Sequence, residues 1–293
     1  MSSKTQGDSQ ADKNIEIDPA KRKPKMGSQF QHVTLPPTPE SIAFAGEVLP
    51  IHIDDVRERL EKELIRNSFY HSNTLDYIKR ANRFFSIIDP ILEKEGIPLD
   101  FKYLAVAESG LYNPTSPAGA KGLWQFMSTA GKAYGLEISS QVDERYNYEK
   151  STLAACKYLK KLHSKFGSWT MAAAAYNMGP TRLSKAVRSQ KETEYFNLNL
   201  NQETMKYVFR ICAIKQIMEN PEVYGFYLRD EELLQPLPKA RQFVITESIP
   251  SLGDWAHTHS ITYRDLKIYN PWLRDSGLTV SAGKKYVIEV PFR

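Results

Sequence analysis

The chain has 293 residues, 41% hydrophobic and 25% charged, with a formal net charge of +5. That is the composition of a globular protein long enough for one mid-sized domain and a small one, with no apolar run of membrane-spanning length and no secretory hydrophobic stretch at its start. The positive balance suits an anionic partner such as a nucleic acid, an anionic membrane surface or a cell-wall polymer, but no Lys/Arg stripe interleaved with aromatics is present, which argues against a nucleic-acid binder.

Residues 1–40 are polar, hold the basic run Lys21-Arg22-Lys23-Pro24-Lys25 and close on Pro36, Pro37 and Pro39; they read as a disordered leader. In "FAGEVLPIHIDDVRERLEKELI" a helix is predicted to begin near Asp54 or Asp55. "NTLDYIKRANRFFSIIDPILEKEG" predicts a second, amphipathic helix with Leu75, Ile78, Phe85, Ile88 and Leu92 on its apolar side and a kink at Pro90. After Gly96 a third helix should start with Pro98 in its first turn and end at Gly110. Its spacing sets Phe101, Leu104 and Glu108 on one face. Further helices are predicted over 148–166, 168–177, 181–188 and 203–219, with little strand signal before residue 240. Cys156 and Cys212 fall inside apolar helical patterns and read as buried free thiols; two cysteines alone make no zinc framework.

Residues 229–240, charged and proline-bearing, read as a linker. Beyond it "RQFVITES" and "KKYVIEVPFR" carry the Val, Ile, Phe and Tyr of strands, and two short helices are predicted between them. The fold expected is therefore mainly α, with a helical domain over 41–228, followed by a small βααβ unit over 241–293.

The stretch "VAESGLYNPTSPAGAKGLWQFMSTA" holds a single acid, Glu108. On a face shared with Phe101 and Leu104 its carboxyl should be partly desolvated, which raises its pKa and suits it to protonate a leaving oxygen. Tyr112, Trp124 and Phe126 offer flat apolar faces for a sugar ring, and Ser116 and Gln125 offer hydrogen bonds. Glycosidases ordinarily use two carboxylates, and the next acid here is Glu137, well past the loop. That pattern suggests one-acid chemistry in which the substrate supplies the second group. Against it stands the plain alternative that Glu108 is a surface residue at a helix end and Trp124 a core residue.

"ESGLYNPTSPAGAKGLWQFMSTA" resembles the first catalytic motif of the lytic transglycosylases with a goose-lysozyme-like fold; "AAAAYNMGPTRL" resembles their second and "ETMKYV" their third. The resemblance covers about residues 44–228. It implies a lysozyme-like α+β catalytic domain that acts on peptidoglycan glycan strands with no cofactor or metal. Glu108 would be the sole acid and base, Ser116 and Gln125 would bind sugar, Tyr176 and Asn177 would line the cleft, and Glu203 and Tyr207 would be the third-motif glutamate and tyrosine. The product implied is a 1,6-anhydromuramoyl end. The one departure is Ser128 where the family often has proline, and a serine there is expected to cap the following helix.

The tail resembles a LysM domain, a small peptidoglycan- or chitin-binding module, through Phe243-Val244, Leu252, Trp255-Ala256, Leu266, Asn270-Pro271, Gly283, Ile288 and Pro291. Thr246-Glu247-Ser248 replaces the Gly-Asp-Thr/Ser that usually helps to hold an N-acetyl sugar there, and His257 and His259 are expected to be solvated rather than metal-bound. The resemblance implies a monomer of the bacterial cell envelope or periplasm, associated with the wall or anchored at the membrane. A hydrolysing lysozyme or chitinase on the same scaffold, and a wall-binding protein without activity, remain the alternatives.

Overall fold

The structure is a computed structural model and describes residues 33–292. The part of the expected leader before residue 33 lies outside the described residues. The rest of it includes ordered chain: Tyr224 Oη donates to the Pro37 carbonyl at 3.1 Å and Thr38 Oγ1 to Glu61 at 3.4 Å.

A two-residue hairpin, β1 (Ala43–Phe44) and β2 (Glu47–Val48), precedes α1 (Asp54–Phe69), whose first turn carries Asp54 and Asp55 where the helix dipole favours acids. α2 (His71–Lys94) runs unbroken through Pro90, which is exposed, so the backbone carbonyl that loses its partner can turn to water. The predicted kink therefore does not end the helix. Its buried stripe is Thr74, Ala81, Phe84, Ile88 and Leu92; Leu75 is 36% exposed and Phe85 only half-buried, so that side of the periodicity was misplaced by one position.

α3 (Phe101–Ser109) starts three residues after Pro98, whose carbonyl accepts from Phe101, and stops at left-handed Gly110. A side chain at Gly110 would meet the Tyr77 ring at 2.8 Å, so both backbone and space demand glycine. α4 (Ser128–Ala133) is capped by the extended residue Met127 with no side-chain bond; Ser128 is its first residue and does not cap it, contrary to expectation. α5 (Tyr148–Phe166), α6 (Trp169–Met178), α7 (Pro180–Gln190) and α8 (Gln202–Glu219) follow the predicted positions closely. Asn147, Ser168 and Asn201 each accept a backbone N–H at the start of α5, α6 and α8.

α1 lies along α8, while α5 packs on α2 and α6, and α3 and α6 both pack on α8. The run Ala172–Ala175, fully buried, lets α6 approach its neighbours at the centre of this core. Cys156 on α5 and Cys212 on α8 are buried free thiols. The C-terminal unit is β3 (Ala240–Ile245), α9 (Leu252–Thr258), α10 (Tyr263–Tyr269) and β4 (Tyr286–Pro291), with β3 and β4 antiparallel and Phe243 opposite Ile288. The mainly α architecture followed by βααβ is as the residues predicted. Its core (Leu252, Leu266, Leu273, Ile288 and neighbours) also takes in Val142 and Tyr146 from the helical part of the chain.

Candidate active site

Glu108 sits in the last turn of α3, part-buried, with Tyr103, Leu104 and Val106 of the same helix in the core. Burial pushes its carboxyl up to about 7; a hydrogen bond from Tyr207 and the charge of Arg210 pull the other way, and the charge of Glu203 adds to the rise. Tyr207 Oη donates to Glu108 Oε1 in a short bond. Tyr207 itself is 1% exposed, and its phenol is pushed up by burial and by the neighbouring Glu108. It is a neutral donor aimed at one oxygen of the acid.

α8 supplies more than Tyr207. Glu203, Tyr207 and Arg210 are spaced i, i+4, i+7 and share a face. Arg210 Nη1 lies 2.9 Å from Glu203 Oε1, and Lys206 Nζ lies 3.2 Å from Glu203 Oε2. Burial alone would raise the Glu203 carboxyl, but Arg210 and Lys206 outweigh it and hold it below the usual glutamate range. On α1, Glu63 is 1% exposed and lies 3.7 Å from Arg210 Nε and 2.9 Å from Arg66 Nη1. Sequence reasoning missed Arg210 and Glu63. The first was signalled by its spacing from Tyr207, the second by a charge on the Val56–Leu60–Leu64 stripe.

The loop after Glu108 is unusually constrained. Leu111, Asn113 and Gln125 all take positive φ; asparagine tolerates it, but Leu111 and Gln125 are held there at a cost of about 1 kcal/mol or more each. Arg80 Nε donates to the Leu111 carbonyl at 3.0 Å and Asn113 Nδ2 to that of Tyr146 at 3.1 Å. Thr115 Oγ1 meets Tyr146 Oη at 2.7 Å. Arg145, 4% exposed, chelates Asp143 at 2.9 and 2.7 Å and donates to the carbonyls of Gly119 and Phe126. A Cβ on Gly122 would fall 1.9 Å from the Arg145 carbonyl oxygen, so that close approach requires glycine.

Several predicted residues converge on the acid and others do not. The charge of Glu108 acts on Tyr176, whose Oη donates to the Trp124 carbonyl at 2.6 Å. Asn177 Oδ1 accepts from Thr204 Oγ1 at 2.7 Å, tying α6 to α8. Ser116 Oγ accepts the Ala120 N–H at 3.0 Å within its turn and keeps its own proton to donate. Gln125 spends its amide nitrogen on the carbonyls of Gly122 and Pro114 at 2.8 and 3.2 Å. Trp124 is fully buried with its indole N–H 2.9 Å from Thr152 Oγ1, and Phe126 is 3% exposed; neither can offer a face to a sugar, and both are core residues. Tyr112 is 56% exposed, with Arg80 4.0 Å over its ring.

In the C-terminal unit Ser248 Oγ accepts the Val280 N–H at 2.9 Å. His257 is exposed, but His259 stacks on Trp255 at 3.9 Å with Nδ1 2.8 Å from the Trp255 carbonyl, so it is a packed residue and not a solvated one. Among the described residues no three His, Cys, Asp or Glu side chains gather as metal ligands, and no helix is long and apolar enough to cross a membrane. A cavity of about 550 Å³ lies between α2, the start of α5 and the C-terminal unit, with Tyr148, Tyr269 and Trp272 in its wall; Glu108 does not line it.

Residues 88–199 match the family described as the transglycosylase SLT domain, and residues 241–293 match the soluble lytic transglycosylase C-terminal LysM-like domain. Membrane-bound lytic murein transglycosylase D of Escherichia coli (strain K12) is 32% identical over 256 residues, which cover 84% of this chain and 54% of that protein. The stretches "FAGEVLPIHIDDVRERLEKELI" and "ILEKEGIPLDFKYLAVAES" look specifically like that relative. A putative tributyltin chloride resistance protein of Alteromonas sp. (strain M-1) is 32% identical over 115 residues, 38% of this chain and 55% of that one. Among solved structures, the 70 kDa soluble lytic transglycosylase of Escherichia coli aligns over 53% of this chain and 27% of its own, at 20% identity and a TM-score of 0.39. The chain spans about half the length of each of these two curated relatives.

Proposed function

We propose, since residues 88–199 match the transglycosylase SLT domain and residues 241–293 the LysM-like domain, that this chain is a peptidoglycan lytic transglycosylase. In this reading Glu108, protonated near neutral pH, gives its proton to the oxygen linking N-acetylmuramic acid to N-acetylglucosamine as the C1–O bond breaks. The substrate's acetamido oxygen stabilises the anomeric cation as an oxazolinium-like species. Glu108, now a carboxylate, takes the proton of the C6 hydroxyl, whose oxygen closes onto C1. The products are a free 4-hydroxyl on the leaving sugar and a 1,6-anhydromuramoyl end, with no water consumed.

The observation that carries the reading is the state of Glu108: a part-buried carboxyl raised to about 7, with a neutral phenol on one oxygen. In this reading Tyr207 orients the acid through its hydrogen bond, Tyr176 lines the sugar cleft, and Arg210 keeps the acid from being raised further. Ser116, Gln125 and Asn177 are proposed as sugar contacts, through the hydroxyl proton of Ser116, the carbonyl oxygen of Gln125 and the amide of Asn177. The catalytic region is proposed as 41–228 and the linker as 229–240, with the chain acting as a monomer at the cell envelope.

Hydrolysis is the second reading, because Glu203 lies near enough for its charge to act on Glu108. Its two cations make it a weak base, which favours the one-acid route. Digestion of purified sacculi followed by mass spectrometry tests the choice. The proposal expects 1,6-anhydro ends; reducing ends alone would reject it, and capture of sacculi without any turnover would leave a wall-binding protein.

A further inference from the structure

Residues 137–146 lie between the two hydrophobic cores and bond to both. Toward the C-terminal unit, the Asp143 N–H donates to the Trp272 carbonyl at 2.9 Å and the Arg274 N–H to that of Gln141 at 2.8 Å. Gln141 Oε1 accepts the Thr279 N–H at 2.9 Å, and Tyr286 Oη donates to Glu137 Oε1 at 2.9 Å, beside Lys284 Nζ at 2.7 Å. Val142 and Tyr146 are buried in the C-terminal core, and the Arg274 guanidinium lies 4.3 Å over the Tyr146 ring.

The same few residues hold the loop that follows Glu108. Arg145 donates to Gly119 and Phe126, Tyr146 meets Thr115 through its hydroxyl and Asn113 through its carbonyl, and the Arg145 carbonyl abuts Gly122. One short segment is thus an inner wall of the C-terminal unit and the outer support of a loop in which three non-glycine residues sit at positive φ. A strained loop keeps its shape only when its surroundings over-determine it. A wall-binding module on a flexible tether would share neither core nor backbone bonds with the catalytic part.

We infer that the C-terminal unit is a positioning element of the active site: through residues 137–146, Trp272, Arg274 and Tyr286 fix the loop 111–127 beside Glu108. The inference rests on the reading of Glu108 as the reacting group. It adds to that reading a dependence of the chemical step on a unit that touches no reacting atom.

The test uses the full chain with Gln141→Ala, Arg274→Ala and Tyr286→Phe combined, which removes side-chain links and leaves the backbone bonds. Hydrogen exchange is read at the Asp143 amide, which reports the junction, and at the Lys121 and Phe126 amides, which bond each other's carbonyls across the loop. Exchange should quicken at least about threefold at all three. On soluble, uncrosslinked glycan strands kcat should fall about tenfold with KM within about twofold, and returning Arg274 as Lys should recover part of the loss. If Asp143 exchanges faster while Lys121, Phe126 and kcat stay as in the parent, the unit is only attached and the inference is wrong. If Asp143 itself is unmoved, Val142→Asp opens the junction harder and is read the same way; should either variant fail to fold, Tyr286→Phe alone is read. A parent that turns over no glycan would defeat the proposed function, and the exchange coupling would still decide this inference.

Discussion

Glu108 and Asp143 are both carboxylates taken largely out of water, and they are treated in opposite ways. Asp143 is 3% exposed and is gripped at both oxygens by Arg145, with Lys121 at 3.6 Å as a second cation. Glu108 receives one phenol, and Arg210, whose charge acts on it, is shared with Glu203 and Glu63. A buried charge is expensive unless it is fully paired. Asp143 is a paired scaffold carboxylate that anchors the loop through Arg145, whereas Glu108 has no cation among the described residues bound to it and its carboxyl is pushed up to about 7.

Replacing each acid sharpens that contrast. Glu108→Gln should lower turnover by about a thousandfold or more with the thermal transition retained, as expected for loss of an essential acid. The same variant carries a stability signature with a definite sign. The folded carboxyl titrates at about 7 against an ordinary 4.5, so its stabilising protonated state is complete below about 4.5 and is lost as pH rises through 7. Glutamine cannot ionise, so the variant should melt above the parent at pH 8, by on the order of 1–3 kcal/mol, and match it near pH 4. Loss of the transition at all pH values would make Glu108 structural. Asp143→Ala should behave the other way: stranding buried Arg145 costs about 3–5 kcal/mol, seen as a fall in the urea midpoint. A variant as stable as the parent would mean that the ion pair does not anchor the loop.

Smaller effects refine the same picture. Tyr207→Phe removes the donor that lowers Glu108, so the alkaline limb of the pH–rate profile should move to higher pH and turnover should fall about tenfold. An unshifted limb would show that the phenol does not touch the acid in solution. Trp124→Phe breaks the bond to Thr152 and leaves a void where the indole packed, so it should cost about 2–3 kcal/mol of stability with kcat unchanged. A large rise in KM there would return Trp124 to the sugar site.

The helices were legible because their signals are local: Gly110 and Gly167 end α3 and α5, Asn147, Ser168 and Asn201 open α5, α6 and α8, and the apolar period fills the turns between. Glu108 stood out as the lone acid on a face with Phe101 and Leu104, but local pattern alone favours a surface glutamate there, and only the three motifs in order point to it as the acid. Whether an aromatic in a glycine-rich loop faces inward or outward is decided by tertiary packing, which is why Trp124 and Phe126 read as sugar platforms and proved to be core. Glu63 and the junction at Glu137–Tyr146 depend on contacts between segments far apart in the chain, from α1 to α8 and from residue 143 to residue 272, and no periodicity reports those. The hairpin β1–β2, with two residues in each strand, was too short to carry a pattern.

The most direct measurement of the central claim is a titration of glutamate side-chain carboxyl carbons by NMR, with Glu108→Gln supplying the assignment. The account predicts one resonance titrating near 7 that is missing from the variant. If every glutamate instead titrates below about 5, in the ordinary range, Glu108 is a solvated carboxylate and does not hold the proton that the reaction needs.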